Sequence, residues 1–230
     1  MTHPTGVHHL AISTADMKTQ LKFFTEVMGM ELQALYWMHG VEGAWHAFLK
    51  LNDHSSLTFV HLPAMLEART ERGVTHAAHA GDASAPGTMQ HIAFGVETED
   101  ELLALRDRIR SHGVPVFGPI DHGMCKSMYF AGPEGLNLEV AVTEKPLIPA
   151  QWIDPEVVAL AGIDADELAA MRKPADYVRP TRPVAQPAYD PQKPHLGYPE
   201  EAYRKMLAIP DDIYAARANF TEPPVPDAVA

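Results

Sequence analysis

Three residues of metal-ligand type recur in the same kind of strand. His9 lies in VHHLAIS, His91 in QHIAFGV and Glu139 in LNLEVAV. Because side chains alternate faces along a strand, each of them shares a face with small neighbours, and larger apolar residues occupy the opposite face. The adjacent His8 and His9 must point to opposite faces, so alternation by itself leaves open which of the two belongs with His91.

Two imidazoles and one carboxylate form a 2-His-1-carboxylate set. Such a set leaves open positions on one side of an octahedral metal and suits non-haem Fe(II). A single strand histidine is more often a surface or hydrogen-bonded residue than a ligand. Glu139 is harder to explain in that way, because a carboxylate in an otherwise apolar strand needs a partner or a metal. The small neighbours predict a cavity with room for a small molecule.

The elements that would position these residues occur twice. A strand at Val7–Ser13 precedes a helix that begins near Asp16 and ends at Gly29, and three strand candidates follow. The order then recurs, with a strand at Gln90–Val96 and a helix opened by Thr98, which has Glu101 as its capping-box partner. The pattern predicts an α+β fold of two paired βαβββ modules that form a curved mixed sheet around a metal cavity.

The chain divides near residue 145. Residues 1–145 are predicted to form the paired-module domain, with modules at about 5–63 and 88–143 and a loop at 64–87. Fourteen of the 20 prolines follow residue 143. Proline removes a backbone donor, so the proline-rich stretch at 179–199 cannot form a sheet. We expect a Pro-rich, partly helical extension. Its aromatic and aliphatic residues favour an ordered arm over a disordered tail.

Composition excludes several classes of protein. The net charge of -12 argues against a nucleic-acid partner, because such proteins need a basic face. No run of apolar residues is long enough to span a membrane, and the first residues do not read as a signal peptide. A single cysteine, Cys125, fits a reducing compartment, so the expected location is cytoplasmic.

The sequence resembles the vicinal oxygen chelate superfamily, which includes glyoxalase I, the fosfomycin and bleomycin resistance proteins and the type I extradiol ring-cleaving dioxygenases. The matching stretches are VHHLAISTADMKTQLKFFTEVMGMEL, GTMQHIAFGV and KSMYFAGPEGLNLEV. They cover residues 5–142 and leave out the C-terminal extension. The last stretch is the most specific, although Gly132 stands where the family usually has Asp.

The resemblance implies a set of site residues. In relatives the first ligand precedes the Asp that begins the helix by seven positions, which selects His9 with Asp16. The metal ligands implied are then His9, His91 and Glu139. Glyoxalase-like members have a fourth ligand on the strand SSLTFVHL, but the equivalent position here is Thr58 or a near neighbour and no carboxylate is present.

A three-ligand site resembles that of extradiol dioxygenases. By that likeness Tyr129 is expected to hydrogen-bond substrate, and His122 to act as acid and base, although its spacing from Tyr129 is shorter than in the catechol enzymes. His46, His76 and His79 could line the cavity or be solvated.

The resemblance therefore implies an Fe(II) enzyme that cleaves a catechol-type aromatic substrate with O2. The expected partners are that small molecule, O2 and further copies of the chain in a homo-oligomer such as a dimer. A glyoxalase-, isomerase- or lyase-type enzyme that uses Mn, Ni or Zn is the first alternative. A non-catalytic small-molecule-binding resistance protein is the second.

Overall fold

The computed structural model describes residues 3–218 and 220–226, which form two compact units. The first unit spans Pro4–Arg172 and contains both modules. The second comprises His3 and the described residues from Lys173 onward. The first unit therefore continues past residue 145 to Arg172. Among the described residues, no helix has the length and apolar character needed to cross a membrane.

The first module has the predicted βαβββ order. β1 (His9–Ser13) is followed by α1 (Met17–Lys22), which continues as a π-helical turn at Phe23–Val27. β2 (Glu31–Trp37), β3 (Trp45–Asn52) and β4 (Ser55–His61) complete a sheet in the order β1-β4-β3-β2. β1 pairs with β4 in parallel, and the other pairs are antiparallel.

The second module repeats this arrangement. β5 (Ile92–Val96) leads into α2 (Glu99–Ser111), and β6 (Phe117–Asp121), β7 (Lys126–Ala131) and β8 (Asn137–Val142) follow. The strand order is β5-β8-β7-β6, again with one parallel pair, β5 and β8. The prediction of an α+β fold of two paired βαβββ modules is confirmed.

Local sequence signals explain where both helices begin. The Asp16 carboxylate accepts from the backbone N–H of Thr19 at 3.0 Å and so caps α1. In α2 the Thr98 hydroxyl accepts from the Glu101 N–H, while the Glu101 carboxylate accepts from the Thr98 N–H. This is the capping box predicted from the sequence.

One hydrophobic core joins the modules. The ring of Phe24, which follows α1, lies 5.3 Å from that of Phe59 on β4 and 6.2 Å from that of Phe94 on β5, measured between centroids. Leu102 and Ile109 of α2 are fully buried in the same core. The helix-side faces of both sheets therefore pack against one common hydrophobic core.

The opposite faces of the sheets are exposed along the edge strands β1 and β5. On β1 the side chains of His9, Ala11 and Ser13 are exposed, while Leu10 and Ile12 pack against the core. On β5, Ala93 and Gly95 are exposed and Phe94 is buried. We call the side of the first sheet that carries His9 the first open face. The second open face is the side of the second sheet that carries Ala93, its partner Glu139 on β8, and Tyr129, which pairs with Glu139 from β7.

Short helices follow the paired modules, as the prolines and helical patterns predicted. α3 (Pro149–Trp152), α4 (Pro155–Leu160) and α5 (Ala165–Arg172) belong to the first unit. α6 (Glu200–Leu207) and α7 (Asp211–Arg217) belong to the second unit. Within the second unit Tyr203 lies against Tyr189, His195 and Tyr198, with ring centroids 5.7–6.1 Å away. The predicted extension is therefore partly helical, and these rings pack together within it.

Candidate functional site

Two of the predicted ligands meet on the second open face. Glu139 lies on β8, and its side chain is almost fully buried, at 8% exposure. His91 directly precedes β5, the parallel neighbour of β8. Its Nε2 lies 3.0 Å from Glu139 Oε2. This distance is that of an ordinary ion pair, and it also suits two ligands of one metal ion.

The Gln90 side chain determines which nitrogen of His91 carries the proton. Its Nε2 donates to the backbone carbonyls of His79, Ala80 and Asp82 at 3.3, 2.8 and 3.2 Å. Its Oε1 therefore faces His91 Nδ1. Because an amide oxygen only accepts, Nδ1 must carry the hydrogen.

This assignment tests whether the pair suits a metal. A neutral His91 with its hydrogen on Nδ1 presents a lone pair at Nε2, and an ionised Glu139 offers only acceptors. Two lone pairs 3.0 Å apart repel each other unless a proton or a cation lies with them. A divalent cation satisfies both groups, so the donor set fits a metal; without one, a second proton on the His91 ring makes the contact an ion pair.

Tyr129 and His122 continue the same row of polar groups. Tyr129 on β7 lies directly across from Glu139 on β8. Its phenol oxygen is 3.0 Å from His122 Nε2. Burial raises the pKa of Tyr129 and the negative charge of Glu139 raises it further, so the phenol keeps its proton near neutral pH. The structure thus brings together four of the five predicted site residues, namely His91, Glu139, Tyr129 and His122.

His9 lies elsewhere, on the first open face. Its ring is 5.6 Å from that of Phe48 and 6.3 Å from that of His46, between centroids. Within residues 3–218 and 220–226, no three His, Cys, Asp or Glu side chains are grouped closely enough to hold a metal ion. Within one chain, His9 therefore does not join His91 and Glu139 in a single metal site.

His46 has an unusual environment on the first open face. It is 7% exposed, and its Nε2 is buried with no hydrogen-bond partner in the described part of the chain. Burial lowers the pKa of His46, and the nearby His9 lowers it further, which favours a neutral ring. Its ring packs 4.6 Å from that of Phe48. A buried imidazole nitrogen without a partner is available to a ligand.

Two cavities adjoin these residues. The smaller, about 300 Å³, includes Tyr129, Phe117 and Asn137 in its lining, together with Arg72 and His79 from the long loop. The larger, about 570 Å³, lies along β1 and includes Gln20, His76 and Glu134. None of the predicted site residues lines the larger cavity, whereas Tyr129 lines the smaller one. The smaller cavity is therefore the candidate substrate cavity.

Sequence reasoning missed two residues with long-range partners, Gln90 beside the candidate site and Glu134 in the larger cavity. Gln90 directly precedes the candidate ligand His91, and this position is the only local feature of the sequence that could have indicated its role. Glu134 belongs to the Gly-Pro-Glu-Gly turn between β7 and β8, but its contacts lie more than a hundred residues away, at Thr14 and Gln20. Nothing local to Glu134 indicated those partners.

Comparison with known families assigns the fold. Residues 6–140 match the profile of the Glyoxalase/Bleomycin resistance protein/Dioxygenase superfamily. The chain belongs to this superfamily. The match spans both modules and ends within β8, so the helices that follow lie outside it. No curated protein sequence matches the chain significantly.

Several solved structures resemble the chain at low identity. A glyoxylase/bleomycin resistance protein/dioxygenase domain from Frankia sp. EAN1pec is 14% identical, with a TM-score of 0.48. The alignment covers 62% of this chain and 100% of that domain. TnmS3, an antibiotic-binding protein from Streptomyces sp. CB03234, is 17% identical over 63% of this chain and all of its own, with a TM-score of 0.45.

A point mutant of the fosfomycin resistance protein FosX from Listeria monocytogenes, complexed with Mn(II) and 1S,2S-dihydroxypropylphosphonic acid, is 16% identical. It aligns over 66% of this chain and all of its own, with a TM-score of 0.43.

Proposed function

We propose that this protein is a divalent-metal-dependent enzyme whose metal ligands are His9, His91 and Glu139. The observation that carries the proposal is the contact of His91 Nε2 with Glu139 Oε2 at 3.0 Å, where the nitrogen has no hydrogen to share unless the ring is charged. When bound, the metal would act as a Lewis acid and hold two neighbouring oxygen atoms of a substrate.

His9 is proposed to reach this pair from a second copy of the chain. The edge strands of both open faces, β1 and β5, are exposed in a single chain, and the core that joins the modules lies on the other sides of the sheets. A two-fold dimer can place the first open face of each copy against the second open face of the other. Such an isologous interface completes two equivalent sites at once.

A mixed dimer tests both parts of this proposal. His9→Ala and His91→Ala should each lose most bound metal, because each removes one ligand from every site. A dimer of one His9→Ala copy and one His91→Ala copy, purified through two different tags, has one intact site of two. It should therefore hold about half the metal of the wild type.

The outcomes test two statements separately: which residues are the metal ligands, and whether two copies of the chain share each site. If the mixed dimer holds no more metal than the single variants, the shared site is wrong. If His9→Ala, His91→Ala and Glu139→Ala all keep a full complement of metal, the ligand set is wrong. A wild-type protein that binds no divalent metal would favour a small-molecule-binding protein.

For the reaction, we propose O2-dependent extradiol cleavage of a catechol-type aromatic at Fe(II), in which both oxygen atoms of O2 enter the ring-opened product. Tyr129 and Phe117 line the cavity of about 300 Å³, within the usual size of small-molecule sites. Tyr129 would hydrogen-bond a substrate oxygen. His122, 3.0 Å from that phenol, would accept and return a proton.

Oxygen uptake decides this proposal. Protein loaded with Fe(II) without air and then mixed with a panel of catechols should consume O2 and form a yellow product with at least one of them. Absence of uptake with every catechol, together with activity on a glyoxal-type adduct with Ni or Zn, would refute ring cleavage.

His46 supports a second candidate function. Its Nε2 is buried and unpartnered within the described residues, and it lies beside His9. If it were a fourth ligand, two octahedral positions would remain, one too few for a bidentate substrate and O2 together. An isomerase or lyase reaction with Mn, Ni or Zn would then be favoured. His46→Phe should keep its metal under the ring-cleavage proposal and lose it under this alternative.

A further inference from the structure

The side chain of Gln90 connects the long loop to the candidate metal pair. One end of its amide donates to three backbone carbonyls, those of His79, Ala80 and Asp82. The other end accepts from His91 Nδ1. The two ends of a single amide have opposite hydrogen-bonding character, so neither contact can reverse without breaking the other.

The loop segment held by Gln90 has its own internal structure. The Asp82 carboxylate accepts from the N–H groups of Ala78 and Ala83 at 3.0 and 2.9 Å, and the Asp82 N–H donates to the His79 carbonyl at 3.0 Å. These bonds form a compact turn, whose carbonyls of residues 79, 80 and 82 converge on the Gln90 amide. Gln90 therefore ties this turn to the start of β5.

That turn also forms a wall of the candidate substrate cavity. Ala78, His79 and Ala80 line the cavity of about 300 Å³, which Tyr129 on β7 lines as well. The position of this wall therefore depends on the same side chain that orients His91.

We propose that Gln90 is a positioning residue with two separable roles, an acceptor role toward His91 and a donor role toward the loop. The inference rests on the proposed function, in which His91 is a ligand. As acceptor, Gln90 holds the hydrogen of His91 on Nδ1 and leaves Nε2 free to bind metal beside Glu139. Partners of this kind commonly change metal affinity about 10- to 100-fold. As donor, it holds the cavity wall against the start of β5.

Two substitutions separate these roles. Gln90→Met has a similar length but neither accepts nor donates, so both effects should appear. Gln90→Glu keeps an oxygen for His91 Nδ1 but has no hydrogens for the three carbonyls, so only the loop should loosen. Gln33→Met, an exposed glutamine on β2, is the matched control.

The first readout is Co(II) affinity, measured by calorimetric titration of the full-length protein. Gln90→Met should bind Co(II) about 10- to 100-fold more weakly than the wild type, while Gln90→Glu should stay within a few-fold. The second readout is hydrogen exchange in a peptide that covers residues 76–84. Exchange should be faster in both Gln90 variants and unchanged in the control.

Each outcome decides one part of the proposal. Wild-type Co(II) affinity in Gln90→Met, or equal losses in Gln90→Met and Gln90→Glu, would overturn the acceptor role. Unchanged exchange in both variants would overturn the donor role. If the wild type binds no Co(II), the proposed function fails, and nitrogen-15 shifts of His91 still test the inference. They should report a hydrogen on Nδ1 in the wild type that is lost in Gln90→Met.

Discussion

Replacing Glu134 should destabilise the first unit more than any change at an ordinary surface glutamate. Its Oε2 accepts from the Thr14 hydroxyl at 2.6 Å and from Gln20 Nε2 at 2.7 Å. Its Oε1 accepts from the N–H groups of Ala15 and Asp16 at 2.8 and 3.3 Å. Glu134 belongs to the second module and all four donors to the first. This carboxylate therefore links the modules in addition to their shared core.

The size of the expected destabilisation depends on which of the four donors can hydrogen-bond to water once the carboxylate is removed. Thr14 and Gln20 are 2% and 0% exposed, so they lose their partner outright, whereas Ala15 and Asp16 are exposed and can be solvated. A hydrogen bond to a charged group contributes about 1.5–3 kcal/mol. Two such bonds lost from buried donors lead us to expect that Glu134→Ala lowers the free energy of unfolding by about 3–6 kcal/mol.

Two further variants distinguish the effect of the lost hydrogen bonds from the effect of backbone strain at residue 134. Glu134 has φ 54°, in the left-handed region, where a non-glycine residue costs about 1–2 kcal/mol. Glu134→Gly should therefore be about 1 kcal/mol more stable than Glu134→Ala. Glu134→Gln should lose only about 1 kcal/mol, because Gln20 can reverse its amide and turn its unpartnered Oε1 toward the new NH2 group.

The stabilisation should also depend on pH. Burial raises the pKa of Glu134, but the hydrogen bonds from Thr14, Gln20, Ala15 and Asp16 outweigh it and bring the pKa below its usual value. A lowered pKa means that the stabilisation is complete above the unfolded value of about 4.3 and is lost as pH falls through the folded value. The difference between wild type and Glu134→Gln should therefore shrink in acid.

Urea unfolding followed by tryptophan fluorescence measures these effects. All 3 tryptophans, at positions 37, 45 and 152, lie in the first unit, so the signal reports on that unit. Glu67→Ala, at an exposed glutamate in the long loop, is the control. If Glu134→Ala unfolds at the same urea concentration as Glu67→Ala, the reasoning is refuted.

Two other predictions concern the site and the extension. Tyr129→Phe and His122→Ala should lower turnover with a catechol that the wild type cleaves, while the metal content stays near that of the wild type, because both groups would touch substrate or its proton. Loss of metal from both variants would argue against these roles. A chain that ends near Glu144 should be less soluble or change its mass in light scattering, because the aromatic and aliphatic residues of the extension favour an ordered arm. Unchanged mass, stability and activity would show that the extension is dispensable.

The sequence by itself determined the modules and the faces of their strands. Alternation is local, because each side chain points opposite to its neighbour whatever the strand packs against. It predicted that His9 would share a face with Ala11 and Ser13, and Ala93 with Gly95, and the exposure of β1 and β5 alternates in this way. The exposure of β8, which carries Glu139, does not alternate, because nearly the whole strand is buried. The capping box at Thr98 and Glu101 was equally readable, because both of its hydrogen bonds lie within four residues.

Only the tertiary structure decided how the faces are arranged. Phe24 packs between Phe59 and Phe94, which joins the helix-side faces of the two sheets and leaves His9 apart from His91. The roles of Gln90 and Glu134 also depend on partners that the fold supplies, a turn eight to eleven residues away and a helix start more than a hundred residues away. Strand periodicity fixes the direction of a side chain relative to its own sheet. It carries no information on which sheet, loop or second copy will face that side chain, because those contacts arise from packing between distant segments.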